Sequence, residues 1–392
     1  MKHNRVFTLP VLSLIALGFI LGTSEFIVVG ILPDISDGLS VSLSVVGNLV
    51  SLFAAAYALG TPFVTAFTSK IRRYHLLLLL MILFLAANLL SVVAPNYGVL
   101  LVSRLLVAVV SGPLISIGMT FAGDVAPAEH RAKVIAWIFS GFSIASIVGV
   151  PLGTMVNQLF GWRMTFLFIC VLGVGVLFWL AFSLPKSGEV KSTGLLTQFV
   201  LLKDRRILLG LLITVCGAAG TYVFYTYLTP VLQNELGIPE AYLSMVLLAF
   251  GVSSIVSNLL SGRIAERGGM KRLPVCFLLQ AVVLACLPFT THSLVLGLVN
   301  ILALGVLMYL MNSSNQLHFL DVAGQDYPYA QNLASSLNSV SFNIGIALGS
   351  FLGSLVVDLL EMRDTGFVGG ALAAMAFAAV LVLNRVERKQ PA

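Results

Sequence analysis

An all-α membrane protein is what this sequence predicts: twelve transmembrane helices arranged as two pseudo-symmetric six-helix bundles. Three observations point there. The 392 residues are 58% hydrophobic and only 10% charged, whereas a soluble globular chain carries about 25% charged residues. Apolar runs repeatedly reach the roughly 20 residues that cross the hydrocarbon of a bilayer. The longest polar connection, PKSGEVKSTGLLTQFVLLKDRR, falls at mid-chain and divides six runs from six.

Taken in order, the spans are expected at 7–32, 43–67, 74–94, 98–122, 134–158, 163–184, 207–232, 242–264, 273–290, 294–317, 331–357 and 364–384. The first could imitate a secretory signal, because basic residues precede it. It is too long for one, contains Glu25 and lacks an A-x-A-like cleavage site, so it is read as a retained helix. Residues 1–185 form the first bundle, 186–206 a cytoplasmic linker and 207–392 the second bundle. A weak internal repeat supports this division: Gly22-Thr23 recurs as Gly220-Thr221, Pro33 as Pro230, and the basic loop Ser69–Arg73 near Glu266–Arg272. Transporters built from such repeats hold their substrate between the halves, near the bilayer midplane.

The net charge of +6 raises nucleic acid as a partner, and the placement of the charges dismisses it. If the N-terminus is cytoplasmic, 19 of the 22 Lys and Arg residues fall on that side; Arg163 and Arg363 lie outside and Arg104 lies within a span. Basic residues collect at the cytoplasmic ends of membrane helices, so both termini are assigned there. Cys170, Cys216, Cys276 and Cys286 all lie in apolar spans without CxxC spacing, and are read as packing residues. No metal-ligand spacing, Ser-His-Asp arrangement or G-x-x-x-x-G-K-[ST] loop is present. No cofactor or enzyme activity is implied, and energy must come from an ion gradient or from the substrate's own gradient.

Glu25 is the residue that asks for a function. A charged side chain at the centre of a membrane helix costs about 2.5 to 3.5 kcal/mol on insertion scales. By helical rise it lies about 10 Å below the outer end of its span, and Arg104 about 9 Å below the same face in span 4. Two unlike charges at matching depth can meet or face one cavity. A guanidinium stays protonated while a carboxyl can switch, which makes Glu25 the candidate proton carrier. A static ion pair between spans 1 and 4 is the bland alternative, and Arg104 can also serve by hydrogen-bonding backbone carbonyls. Asp34, after Pro33, is a further acid expected near the outer surface.

Other residues suggest moving parts and a binding surface. Gly149, Pro151 and Gly153 in span 5 allow close helix approach and a kink, either for packing or as a hinge. In GRIAERGGMKR, Gly262, Gly268 and Gly269 permit a tight reversal, and Glu266 with Arg267, Lys271 and Arg272 could form a charge cluster at a cytoplasmic helix end, unless the basic residues are simple anchors. Tyr57, Tyr222, Tyr225, Tyr227, Gln233, Asn312, Asn315, Gln316, Asn338 and Asn343 could line a cavity for an amphipathic or hydroxyl-rich small molecule, although each alone can equally form an interhelical hydrogen bond. Trp162 with Arg163 is read as an interfacial anchor.

These stretches resemble the major facilitator superfamily. GRIAERGGMKR is similar to its loop signature G-x-L-A-D-R-x-G-R-K, with Glu266 in place of Asp, while the first-half loop TAFTSKIRRYH is degenerate, with Ser69 at the acid position. SRLLVAVVSG, with Arg104, is similar to the span-4 signature whose arginine is implicated in proton transfer, and GVPLG to the span-5 antiporter signature. GTSEFIVVGILPDI, GVPLG and GWRMTF together resemble the bacterial twelve-span drug:proton antiporter-1 family, in its arabinose/sugar-efflux and chloramphenicol-resistance branch. The resemblance implies a proton-driven exporter of drugs or sugars in the bacterial inner membrane, with Glu25 as proton and substrate site; because one chain contains both halves, a monomer suffices. Sequence physics leaves proton-coupled uptake open, and a non-transporting scaffold or receptor less so.

Overall fold

The computed structural model describes residues 7–68, 71–125, 131–186, 199–327 and 330–388. Most of the expected linker (187–198), together with Ser69 and Lys70, lies outside the described residues. The long helices are α1 (Leu9–Gly30), α2 (Leu43–Phe67), α3 (Arg73–Val92), α4 (Tyr97–Thr120), α5 (Arg131–Ile144, carried on by Ala145–Gly149 and Val150–Phe160), α6 (Trp162–Ser183), α7 (Arg205–Tyr225), α8 (Glu240–Glu266), α9 (Leu273–Thr290), α10 (Leu294–Leu307 and Asn312–Asp326), α11 (Gln331–Leu359) and α12 (Thr365–Arg388). Twelve helices among the described residues are long and apolar enough to cross a membrane. They fall on the twelve expected spans, the main difference being that α10 runs on to Asp326.

Local chemistry sets the helix ends. The Asn96 side chain caps α4 by accepting from the Val99 N–H at 3.1 Å, and Asp204 caps α7 by accepting from the Arg206 N–H at 2.7 Å. Burial acts to raise the Asp204 carboxyl, but its hydrogen bonds from Arg206 hold it below the usual carboxylate range. The first helix of each half ends at a matching break. Ile31 (φ −120, ψ 18) separates α1 from a short helix, Leu32–Leu39, and Tyr227 (φ −105, ψ 18) follows α7 in the same way. Pro33 and Pro230 lie just beyond, and each lacks an N–H and crowds the carbonyl four residues back. The expected repeat therefore reappears as backbone geometry.

Small residues bring α1 onto α5 and α7 onto α11. A Cβ added at Gly141 would stand 2.6 Å from the Ile15 carbonyl oxygen, and one at Gly18 would stand 2.4 Å from that of Ile138. In the second half, Gly349 and Gly353 press equally closely on the Ala219 and Val223 carbonyls. Gly149 and Gly153 belong to the first of these contacts, since a Cβ at either would meet Thr23 or Ile27 at 2.2 Å. Ala145–Gly149 winds as a π-turn just before Pro151, with the Val150 N–H bonded to the Ala145 carbonyl five residues back; proline has no N–H to continue that ladder. The span-5 glycines are thus packing residues on α1, beside a local irregularity.

Three expectations fail here. The α8–α9 reversal uses only Gly268 (φ 116) and Gly269 (φ 42); Gly262 stays inside α8. Because α8 remains helical through Glu266, that acid sits exposed at a helix C-terminus, and no ion pair formed among the described residues includes it, Arg267, Lys271 or Arg272. The expected charge cluster is absent from this loop. Trp162 is 5% exposed, buried against Gly38 of the short helix, with Arg163 stacked on its ring at 4.2 Å and donating to the Ala94 carbonyl at 3.0 Å. It packs inside and is not a surface anchor. Gly268→Val is expected to cost about 1 to 2 kcal/mol, the penalty of a branched residue at positive φ, while Gly262→Ala, with nothing near its added methyl, stabilises α8 slightly; thermal unfolding in detergent reads both.

Two compact units divide the chain. The first comprises Met1–Val41, Ala55–Lys191 and Ser244–Leu248; the second comprises Ser42–Ala54, Ser192–Leu243 and Ala249–Ala392. The start of α2 therefore belongs to the second unit, where Ser51 donates to the Ala347 carbonyl at 2.7 Å and Ser354 to Asn48 Oδ1 at 3.1 Å.

Candidate functional site

Within the first unit, α1, α3, α4 and α6 converge on Arg104. Its side chain is 1% exposed, too deep for a guanidinium without partners. It donates from Nη1 to Ser24 Oγ at 3.2 Å and from Nη2 to the Ser24 carbonyl oxygen at 2.5 Å, and lies 5.5 Å from the centroid of the Phe166 ring. Ser24 Oγ passes its own proton to Asn88 Oδ1 at 3.0 Å, and Asn88 Nδ2 donates to the Phe84 carbonyl at 2.9 Å. This relay joins α1, α3 and α4, and the Phe166 ring brings α6 to the same cation. The second unit has a counterpart without the cation: Gln280 of α9 donates to Thr221 Oγ1 at 2.7 Å and to the Gly217 carbonyl at 3.0 Å on α7.

Glu25 is next to this relay and not part of it. The matching depth expected for Glu25 and Arg104 is observed, because Arg104 grips the residue adjacent to Glu25. The pair feels each other's charge, but the ion pairs among the described residues do not include it. Neighbours on a helix point about 100° apart, so α1 can present Ser24 to Arg104 only by turning Glu25 away. From Ile20 to Leu32 every residue is buried except Glu25, which is half-buried. Asp34 is half-buried on the short helix past the Ile31 break, nine residues from Glu25, and is not brought to it.

Arg104→Lys tests the relay. A single ammonium cannot reproduce the planar fork that spans a carbonyl and a hydroxyl, so the substitution is expected to cost about 1.5 to 3 kcal/mol. Ser24→Ala should be non-additive with it in a double-mutant cycle of thermal stability.

In the second unit, the rings foreseen at Tyr222 and Tyr225 come together with three that the sequence did not single out. Tyr222 meets Tyr225 edge-on at 5.2 Å and Phe342 at 6.0 Å, Tyr225 stacks on Phe250 at 5.4 Å, and Tyr309 stacks on Phe342 at 5.9 Å. Tyr309 and Phe342 are half-buried. Tyrosines near polar amides were the available signal, but pairing of α7, α8, α10 and α11 was needed to see the cluster. Other cavity candidates are placed differently. Tyr227 is fully buried, wedged between Gly47 and Gly353, because the break turns it off the α7 face. Asn315 is an interhelical tie, donating to Thr214 Oγ1 at 2.9 Å, and Asn343 bonds back to the Ser339 carbonyl. Asn312 and Asn338 are half-buried, Gln233 lies beyond the Tyr227 break, and Tyr57 is buried in the first unit. Among the described residues no His, Cys, Asp and Glu group suited to a metal occurs.

The sequence profile of the Major Facilitator Superfamily matches residues 14–328. The chain belongs to the major facilitator superfamily. It is similar over 93% of its length to 92% of a Bacillus subtilis (strain 168) protein described as an uncharacterized MFS-type transporter, YtbD, at 35% identity. It is also similar, at 33% identity with 97% of each chain covered, to the inner membrane transport protein YdhP of Escherichia coli (strain K12). Among solved structures, a D-xylose-proton symporter superposes with a TM-score of 0.78 at 15% identity, covering 95% of this chain and 96% of that one; this shows the shared fold. As a superfamily member the chain is a multi-pass membrane transporter, with a small molecule as its substrate and the bilayer as its surroundings.

Proposed function

We propose that this transporter is a proton-coupled efflux antiporter of the drug:proton antiporter-1 type, exporting small amphipathic or polar molecules such as drugs or sugars by alternating access. One observation carries the reading: Glu25 is the single accessible residue in an otherwise buried stretch of α1. That helix is 72% buried over its apolar window, matched only by α7, so access at Glu25 is read as leading to an interior space and not to acyl chains. A carboxyl there can load a proton from one side and release it to the other, with Arg104 as a fixed positive charge nearby. The Tyr222–Tyr225–Phe342–Tyr309 cluster supplies flat apolar faces with hydroxyl edges, suited to an amphipathic or glycosidic substrate. One chain carries both halves, so a monomer suffices. Its place is the bacterial inner membrane, with both termini in the cytoplasm, and no cofactor is required beyond the proton gradient.

The rival reading is proton-coupled uptake of sugars or other nutrients, favoured by the fold shared with a D-xylose-proton symporter. Purified protein in liposomes separates the two. With an imposed pH difference and a panel of chloramphenicol-like drugs, dyes and sugars, an antiporter moves substrate against the proton flow and a symporter with it. An uncoupler abolishes both. Movement indifferent to the pH gradient would remove proton coupling altogether.

A further inference from the structure

We propose that His318 is a second protonation site in this protein, at the junction of α7, α10 and α12. Its side chain is 3% exposed. Nε2 stands 3.2 Å from the Arg206 carbonyl oxygen on α7, and Nδ1 stands 3.2 Å from Glu387 Oε1 on α12. A backbone carbonyl only accepts hydrogen bonds, and so does an ionised carboxylate. A neutral imidazole has one N–H and can satisfy one of them; the imidazolium satisfies both. Turning the ring over would put carbon atoms against both oxygens. The seat is built for the ring, since a Cβ at Gly210 of α7 would come within 3.1 Å of His318 Cδ2 and 2.7 Å of the Phe319 ring.

Among the described residues, these two oxygens are the polar partners of the ring. On α7, the Arg206 guanidinium is turned to Asp204 at 2.7 Å and to Asp326, so it offers His318 only its carbonyl. Arg205 precedes it on α7, and Lys203 and Asp204 lie in the turn before. Around Glu387, α12 also carries Arg385, and α10 itself carries Asp321 and Asp326. Of the other segments packed on α10, α11 has one ionisable residue, Asp358, at its opposite end, and the turn Gly269–Lys271 carries Lys271. Glu387 is a third exposed, giving the proton a route from solvent.

The sign follows from the donors. With the ring doubly protonated, His318 ties the last turn of α12 to the start of α7. When the ring gives up one proton, one contact loses its hydrogen and a lone pair faces an oxygen, so the tie opens. The site binds a proton from the side where α7 begins and α12 ends, independently of Glu25.

Histidine-selective ¹⁵N spectra of the full chain in lipid nanodiscs test this, with His318→Gln identifying the signal. The expected result is an imidazolium at the acidic end of a pH series that becomes a neutral tautomer toward its alkaline end. Amide-exchange protection of 384–388, corrected for intrinsic rates, should fall in step, and both His318→Gln and Glu387→Gln should flatten that pH dependence. A ring that stays neutral throughout the series, or unchanged pH-dependent protection in either variant, would overturn the proposal. If His318→Gln does not fold, Glu387→Gln keeps the histidine and carries the exchange test.

Discussion

Glu25→Gln abolishes proton-driven transport while leaving the protein folded in the membrane: this is the expected result of the first experiment to make. Glutamine fills the same volume and cannot exchange a proton near neutral pH. Removing one partner of a buried ion pair usually costs about 3 to 5 kcal/mol, but Arg104 is bonded to Ser24, so neutralising residue 25 strands no cation. Thermal stability should therefore stay within about 1 kcal/mol of the parent. A pH difference of about one unit is worth about 1.4 kcal/mol per proton, enough for about tenfold substrate accumulation. The parent should reach that level in liposomes and the variant should show none, while substrate-for-substrate exchange continues in both. A variant that still accumulates substrate would move the coupling away from Glu25.

The second large effect concerns assembly. Gly141→Ala adds one methyl group, yet that carbon would sit 2.6 Å from the Ile15 carbonyl oxygen and 2.7 Å from the Phe19 nitrogen. Both are backbone atoms of α1 and cannot turn aside, so α1 and α5 must separate along a contact that also holds Gly18, Gly149 and Gly153. Overpacking of this kind costs about 1 to 3 kcal/mol or more, and Gly141→Val should cost more than Gly141→Ala. Gly175 of α6 is the control, since nothing lies within 4 Å of its added Cβ; there alanine should be neutral or gain up to about 1 kcal/mol from helix propensity. Thermal unfolding and the monodisperse fraction after purification report both. Equal behaviour of the two variants would mean that the α1–α5 contact is not tight.

The pattern of success and failure in reading the sequence has a physical reason. Lipid leaves a spanning segment few options, since every backbone group must be paired within it; hence α2 and α9 begin and end where their apolar runs do. Gly268 and Gly269 were legible because a reversal needs positive φ, which glycine adopts cheaply. What sequence lacks is rotation about a helix axis. Depth placed Arg104 level with Glu25, but a single residue of rotation gave the guanidinium to Ser24. The same blindness placed Tyr227 in a cavity and Trp162 at the surface, while Glu266 missed its cluster because α8 stays helical through it. His318 and Glu387 are separated by 69 positions, so only helix pairing could show that they meet.

A guanidinium whose hydrogen bonds end on neutral atoms keeps them whatever the neighbouring carboxyl does. Arg104 is anchored to a hydroxyl and a peptide oxygen, so in the proposed proton cycle its positive field stays constant whether Glu25 is charged or neutral. In that proposed cycle, each turnover then demands no stripping and rebuilding of the arginine's own shell. There the cation serves as a standing electrode, and only the acid changes state.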